Sequence, residues 1–203
     1  MKGLKSNLTI IFILFVSCVF AQDKVELSRH ESVNEFVQEL IKNKIDTICD
    51  YEVFTEKTEA MYTQYIFWKE NGKTKIKKLE LEQNYPILEI PANEMWQNLL
   101  LNNDIIKNEK VESFSFTEKI NGKDEVREVI SEGNNFREFN FYLNSSITKF
   151  WTSSFDFQKT EKFDGKKQSN IYFEHNNNLK GKFIIDQLEN IVHRLEKAKR
   201  FKK

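Results

Sequence analysis

Three short turn sequences constrain the fold of this chain most strongly. Each consists of asparagine or aspartate, then glycine and lysine, and each lies between segments in which apolar and polar residues alternate. Such dipeptides favour the tight turns whose backbone twist matches that of two antiparallel strands. The three turns are Asn71-Gly72, Asn121-Gly122 and Asp164-Gly165.

The segments around these turns predict three β-hairpins. They are Met61–Lys69 with Lys73–Leu81, Val111–Ile120 with Lys123–Ile130, and Ser153–Phe163 with Lys166–Glu174. A further strand is predicted around Phe139, Phe141 and Leu143, where apolar residues alternate with other residues. The turns are 50 and 43 residues apart, which is compatible with degenerate repeats, but their flanking segments share little beyond aromatic residues. Three independent hairpins are the simpler interpretation.

Two segments show the three-and-four spacing of apolar residues that is typical of an amphipathic helix. The first is predicted from about Ser32 to Ile48, after serine–glutamate pairs with capping-box spacing, and the last covers residues 184–198. A third helix is predicted in residues 93–105. We therefore predict an α+β fold, in which an antiparallel sheet built from β-hairpins is covered by the N-terminal and C-terminal amphipathic helices.

The first 21 residues have the pattern of a secretory signal peptide. Two lysines precede an apolar segment that is shorter than the roughly 20 residues of a membrane-spanning helix, and Ala21 provides a small residue at the cleavage point. We predict residues 1–21 as a signal peptide and residues 22–203 as a single globular domain, exported to the periplasm or secreted. Lipid anchoring through Cys18 is the alternative, although the three preceding residues fit a lipidation motif poorly.

Charge and cysteine content narrow the classes of function. The full chain carries 31 basic and 31 acidic residues, and the predicted leader contains two of the lysines and no acid, so the remaining net charge is about −2. This balance argues against a dedicated nucleic-acid-binding protein, because such proteins gain affinity from a concentrated positive face. Cys49 is the single cysteine after the leader, so no internal disulfide is expected. An inert buried thiol is the default for Cys49, and a nucleophile is the alternative.

Sequence motifs give no indication of an active site. The chain has no nucleophile elbow, phosphate-binding loop, zinc-protease motif or Cys-x-x-Cys pair. His30, His175 and His193 lack the short spacing of zinc ligands, and carboxylates such as Asp124 and Asp156 lack the spacing of a calcium loop. We therefore predict no catalytic residue, no metal and no cofactor.

The candidate binding residues are aromatic or basic. Trp68, Trp151 and His175 are candidates for contacting a ligand, with core packing as the alternative for the tryptophans and a surface role for the histidine. The basic residues near the C-terminus are candidates for contact with a membrane surface or a polyanion, and they are Arg194, Lys197, Lys199 and Arg200. The alternative is a frayed basic segment whose charges suit the C-terminal end of a helix.

These features together predict a non-enzymatic binding domain of the cell envelope or the secreted fraction. The expected partner is a protein, a peptide or a glycan, bound through a face or an edge of the sheet, and no nucleic acid is expected. One alternative is an envelope hydrolase whose catalytic residues are dispersed in the sequence. The other is a peripheral membrane protein that uses the basic C-terminal helix.

Overall fold

The computed structural model of the chain describes residues 33–55, 63–80, 83–130, 134–144 and 146–202. The predicted signal peptide, Cys18, His30 and the capping serines of the first helix lie outside these residues. The chain divides into two compact units, residues 1–44 and residues 45–203.

The described part of the first unit is helix α1, residues 33–42. Val33, Val37 and Leu40 are buried, and their spacing matches the predicted apolar stripe. The helix ends before the predicted boundary at Ile48, because Lys44 takes a left-handed backbone conformation with φ of 63°. The predicted helix was therefore too long, and Ile48 belongs to a strand. The expectation that this helix covers the sheet stays a prediction.

The second unit mixes helices with an antiparallel sheet. Its strands are β1 (Thr47–Thr55), β2 (Thr63–Glu70), β3 (Lys73–Glu80), β4 (Gln83–Asn84), β5 (Leu88–Ile90), β6 (Ser115–Ile120), β7 (Lys123–Glu128), β8 (Asn135–Leu143), β9 (Ser146–Ser153), β10 (Thr160–Phe163) and β11 (Lys166–Ser169). Its helices are α2 (Asn93–Ile106), α3 (Phe173–Asn177) and α4 (Lys180–Lys197), with a 3₁₀ turn at Ser154–Phe157. The main sheet has the order β4-β3-β2-β1-β8-β9, with β5 also paired to β3, and its neighbours are antiparallel. The predicted α+β class with an antiparallel sheet is confirmed.

The three predicted turns form, and each places two consecutive residues in the left-handed region, as at Asn71 (φ 53°) and Gly72 (φ 76°). The first hairpin, β2–β3, belongs to the main sheet, whereas β6–β7 and β10–β11 form separate two-stranded sheets. The third hairpin is shorter than predicted. Its first predicted strand is interrupted because the side chain of Ser153 accepts a hydrogen bond from the N–H of Phe155 and starts the 3₁₀ turn. The second strand ends before Phe173, where α3 begins.

Helix α2 crosses one face of the main sheet. Near its start, the indole N–H of Trp96 donates to the hydroxyl of Thr74 on β3 over 2.9 Å. Near its end, the side-chain oxygen of Asn103 accepts from the hydroxyl of Thr148 on β9 over 2.5 Å. The helix therefore spans the sheet from β3 to its last strand.

Helix α4 lies beside α2 and runs in the opposite direction, from β9 towards β2. Its first turn lies against β9, where the ring of Phe150 contacts Gly181. Its last turn reaches β2, where Glu196 accepts a 2.9 Å hydrogen bond from the hydroxyl of Tyr65. Glu109 caps the helix start, because its two carboxylate oxygens accept the N–H groups of Lys180 and Gly181 over 2.7 and 2.8 Å.

The core between these helices and the sheet is rich in aromatic and branched side chains. The helices contribute Met95, Trp96, Leu99, Ile184, Ile185, Leu188 and Ile191. The sheet contributes Cys49, Tyr51, Tyr65, Phe67, Ile76, Phe139, Phe141 and Phe150. All of these side chains are buried, and burial contributes roughly 1.5–3 kcal/mol to folding for each large apolar side chain.

Beyond β9, a smaller cluster joins the two short sheets to the 3₁₀ turn. Phe114, Phe116 and Phe155 form its apolar part. The polar part centres on Asn176, which is completely buried and donates to the carbonyl oxygens of Glu112 and Asp156 over 2.7 and 2.9 Å. These bonds satisfy an amide that would otherwise be costly to bury.

The C-terminal end of the chain is tied to the sheet. Lys199 takes a left-handed conformation with φ of 51°, and the N–H of Arg200 bonds to the carbonyl oxygen of Leu195. Phe201 is then buried, with its ring 5.8 Å from that of Tyr65. The basic segment therefore ends in a residue packed against the sheet, whereas the alternative interpretation of this segment was a frayed end.

Lys78 reinforces this closure. Its ammonium group lies 2.8 Å from Glu80 and 2.7 Å from Glu196, so it links β3 to the end of α4. Burial alone would lower the pKa of Lys78, but the two carboxylates outweigh that effect and hold the pKa above its usual value. The ammonium group also faces three aromatic rings, those of Tyr65, Tyr85 and Phe201.

Replacing Gly181 with alanine tests the contact between α4 and β9. An ideal Cβ atom at this position would lie 2.2 Å from the ring of Phe150. We expect the variant to lose about 1–3 kcal/mol of unfolding free energy in urea denaturation, although alanine favours helices more than glycine does. Combining Gly181→Ala with Phe150→Leu should cost less than the sum of the two single changes. Strictly additive losses would show that the ring is not the obstacle.

Candidate functional site

Alternation along the strands divides the main sheet into two faces. Tyr51 and Phe139 belong to the core with α2 and α4, so their face is the covered helix face. The residues that alternate with these along each strand point to the opposite side of the sheet, which we call the second face. Ile48 and Ile66 at the centre of the second face are completely buried. That centre therefore offers no open surface, and the accessible part of the second face lies towards β9.

Strand β9 is an edge strand, and its hydrogen-bonding pattern follows from the turn before it. Leu143 pairs with Ser146 across a two-residue connection in which Asn144 has φ of 53°. The pair that closes such a turn exchanges both backbone hydrogen bonds, and bonding then alternates along the strands. Ser146 and every second residue after it therefore bond to β8. The intervening residues direct their N–H and C=O groups away from the sheet, and they are Ile147, Lys149 and Trp151.

We refer to Ile147, Lys149 and Trp151 as the open edge. Their outward backbone groups have no hydrogen-bond partner within the described parts of the chain. Their side chains lie on the second face, where Ile147 is 52% exposed, Trp151 is 47% exposed and Lys149 is also exposed. A row of unpaired backbone groups is a template for one more strand. The open edge therefore presents main-chain groups and exposed side chains on the same three residues.

Trp151 is the outermost member of an aromatic stack that crosses three strands. The rings of Phe54 on β1 and Phe136 on β8 have centroids 5.1 Å apart, and those of Phe136 and Trp151 are 5.2 Å apart. Both pairs are inclined by 20°. Stacking on Phe136 fixes the orientation of the indole ring. Trp151 is therefore a stacked aromatic side chain at the edge of the sheet.

A buried carboxyl group, Asp50, lies further along the second face. Its two oxygens accept hydrogen bonds from the side chains of Asn140, over 2.9 Å, and Tyr142, over 3.0 Å. Burial is the main cause that raises the pKa of Asp50 to about 6, against the opposing effect of these two donors, and the negative charge of Glu138 raises it further. A carboxyl group with this pKa is able to exchange a proton near neutrality. Asp50 is only 3% exposed, however, and both oxygens are already bonded.

Asp50→Asn tests the cost of this buried charge. The folded protein raises the pKa from 3.8 to about 6, so it binds more protons than the unfolded chain in this interval and loses stability as pH rises through it. We expect Asp50→Asn to gain up to about 3 kcal/mol relative to the original protein between pH 4 and pH 7.5. Urea denaturation across this range measures the difference. Asp124→Asn, on the exposed strand β7, is the matched control, and the same pH dependence in Asp50→Asn as in the original protein would contradict the assignment.

Cys49 and His175 do not form a catalytic pair. Cys49 is completely buried on β1, and burial, followed by the nearby charge of Asp50, raises the pKa of its thiol well above the usual value. These observations favour the interpretation of Cys49 as an inert buried thiol over its interpretation as a nucleophile. His175 is exposed on α3, with its Nε2 atom 3.1 Å from the carbonyl oxygen of Lys110. Among the residues that the structure describes, no group of three histidine, cysteine, aspartate or glutamate side chains is arranged to hold a metal ion.

The two candidate tryptophans have different environments. Trp68 on β2 is 2% exposed, whereas Trp151 on β9 is 47% exposed. Trp68 therefore presents almost no surface to a ligand, and Trp151 is the tryptophan that a ligand can reach.

The candidate basic residues lie at the end of α4 and in the turn after it. Arg194 is exposed on the helix and borders a cavity of about 300 Å³ with residues from the start of α2. Lys197 ends the helix, and Lys199 and Arg200 are exposed in the closing turn. This end of α4 lies near β2 and β3, whereas the open edge is the last strand of the sheet. The basic residues therefore do not belong to the site around Trp151.

Sequence reasoning missed most of the site around Trp151. Phe54 and Phe136, which complete the aromatic stack, lie 82 residues apart in the chain. Strand β9 itself was missed because asparagine followed by serine at residues 144–145 is a weaker turn sequence than asparagine followed by glycine. The β-branched and aromatic residues in 147–152 are the feature that would have predicted the strand.

Comparisons with known proteins give no family for this chain. No protein-family model matches it, and no significant similarity was found to a curated protein or to a solved structure. The helices in the described residues include none with the length and apolar character needed to cross a membrane. The geometry of the site is therefore the basis for assigning a function.

Proposed function

We propose that this protein is a non-enzymatic binding domain, exported through its predicted leader, that accepts an extended segment of a partner protein as an added strand on the open edge. The observation that carries the proposal is the coincidence of outward backbone groups and exposed side chains in the same three residues. In strand addition, backbone hydrogen bonds supply affinity and alternate side chains supply specificity. The open edge has the groups needed for both.

The attachment of β9 to the rest of the fold supports this proposal. The strand is held by its full register with β8, from Phe136–Ser153 to Leu143–Ser146. Thr148 is bonded to α2, and Phe150 is packed against α4. A binding edge that is already ordered loses little conformational entropy when a ligand adds to it.

The positions of Asp50 and Cys49 favour binding over catalysis. Asp50 is enclosed with both carboxylate oxygens bonded, and the thiol of Cys49 lies in the core. Neither group is arranged to meet a substrate, which weakens the alternative of a hydrolase. Coverage of the sheet by the N-terminal helix, expected from its apolar stripe, remains part of the same proposal.

Selection from a library of random twelve-residue peptides tests the proposal, with Lys149→Pro as the decisive variant. Proline removes the outward N–H of residue 149, and an edge position tolerates proline because this N–H is not used in pairing with β8. Lys149→Ala is the matched control, because it removes the side chain and keeps the N–H. We expect selected peptides to bind Lys149→Pro about tenfold more weakly than Lys149→Ala, as the loss of one backbone hydrogen bond predicts.

Circular dichroism and thermal unfolding establish that each variant is folded. Ile147→Pro with Ile147→Ala provides the same comparison one position away if Lys149→Pro does not fold. Equal binding to the proline and alanine variants, or failure to select any peptide, would rule out strand addition. Binding of a glycan that is lost in Trp151→Ala and unchanged in Lys149→Pro would overturn the proposal in favour of a glycan-binding surface.

A further inference from the structure

We infer that the open edge selects segments with an aromatic side chain opposite Trp151, an acidic side chain opposite Lys149 and an aliphatic side chain opposite Ile147. This inference rests on the proposed function. Because every neighbouring pair in the sheet is antiparallel, the expected segment runs antiparallel to β9. Its pattern from N-terminus to C-terminus is therefore aromatic-x-acidic-x-aliphatic.

The aromatic preference follows from the spacing of the existing stack. Its ring centroids are 5.1 and 5.2 Å apart, close to the separation of about 4.8 Å between neighbouring strands. A strand added beside β9 therefore brings a ring opposite Trp151 to the stacking distance already used between Phe54 and Phe136. Phe136 covers the indole of Trp151 on the side of β8, and the side of the open edge has no ring partner in the described residues.

The acidic preference follows from the charge of Lys149. This residue is exposed and forms no ion pair within the described residues. Its direct neighbour on β8 is Asn140, whose side-chain amide is donated to Asp50. Glu138 lies on β8, where it is the partner of Trp151 on β9. It is therefore one strand further from an added segment than Lys149 is. An acidic side chain opposite Lys149 is therefore closer to the ammonium group of Lys149 than to the carboxylate of Glu138.

The third position completes the pattern. Ile147 is 52% exposed beside Tyr142 on β8, and its side chain offers apolar surface without charge. An aliphatic side chain opposite Ile147 would bury part of this surface. The three preferences fall on alternate residues of the segment, because hydrogen-bonded pairs with residues 147, 149 and 151 place alternate side chains on the second face.

The probe for this inference is the end-blocked peptide Ser-Trp-Thr-Glu-Thr-Ile-Ser, titrated into the isotope-labelled chain without its leader. We expect the backbone amide resonances of the open edge to shift. Replacing the peptide tryptophan with alanine should weaken binding about three- to tenfold, as expected for an aromatic pair. Replacing the peptide glutamate with lysine should weaken binding about threefold, and less at high salt.

Charge exchange provides the sharpest control. The variant Lys149→Glu should prefer the lysine peptide over the glutamate peptide and keep its preference for tryptophan. Equal binding of all three peptides, with sensitivity to Lys149→Pro, would overturn the inference and leave the proposed function intact. A second outcome would also overturn the inference and leave the proposed function intact. In it, the probe peptide does not bind, and the random library yields peptides that lack the pattern but bind Lys149→Pro more weakly than Lys149→Ala. Binding without sensitivity to Lys149→Pro, together with an unsuccessful selection, would overturn both.

Discussion

The long-range pairing of strand β1 is the constraint on which the main sheet depends. Along one side β1 pairs with β2, and along the other it pairs with β8, as in the pair Cys49–Phe141, which spans 92 residues. Without β1 the sheet would divide into the β2–β3 and β8–β9 hairpins, and isolated two-stranded hairpins are marginally stable. The chain must therefore close a long loop before its two hairpins share a sheet, and the resulting core has to offset the entropy of that closure.

The central position of β1 also explains the buried carboxyl group. Tyr51 belongs to the helix face, Ile48 to the second face, and both are completely buried. A strand covered on both faces ordinarily carries apolar residues, yet Asp50 lies within it. The hydrogen bonds from Asn140 and Tyr142 limit the cost of this carboxyl group, and they come from β8, the same strand whose pairing orders the sheet. The polar contact therefore favours the native register of β1 and β8, because a slip by one residue would leave Asp50 on the wrong face.

Most local features of the chain were predictable from sequence, with the weak turn before β9 as an exception, and features that join distant residues were not. Asn71-Gly72 predicted its hairpin because both strands and the turn lie within twenty residues, and the stripe of α4 required only its own periodicity. Ile48 was wrongly assigned to a helix because its spacing from the preceding apolar residues fits a helical stripe, and its pairing with Trp68 and Tyr142 is not visible locally. Trp151 was predicted as a candidate, but its stacking on Phe136 depends on the β8–β9 register.

The contrast between two exposed edges supports the proposal that one of them binds a ligand. Strand β7 is exposed along its whole length, and five of its six residues are charged with mixed sign, a composition that discourages pairing with other chains. Strand β9 has eight residues, and along its open edge only Lys149 is charged, between Ile147 and Trp151. A single lysine gives such an edge limited protection against pairing with other chains. The same edge leaves a large aromatic side chain, Trp151, exposed to solvent. On an empty edge, this combination would promote unwanted association between chains. On an edge that receives a complementary strand, the same Trp151 contributes to recognition of that strand.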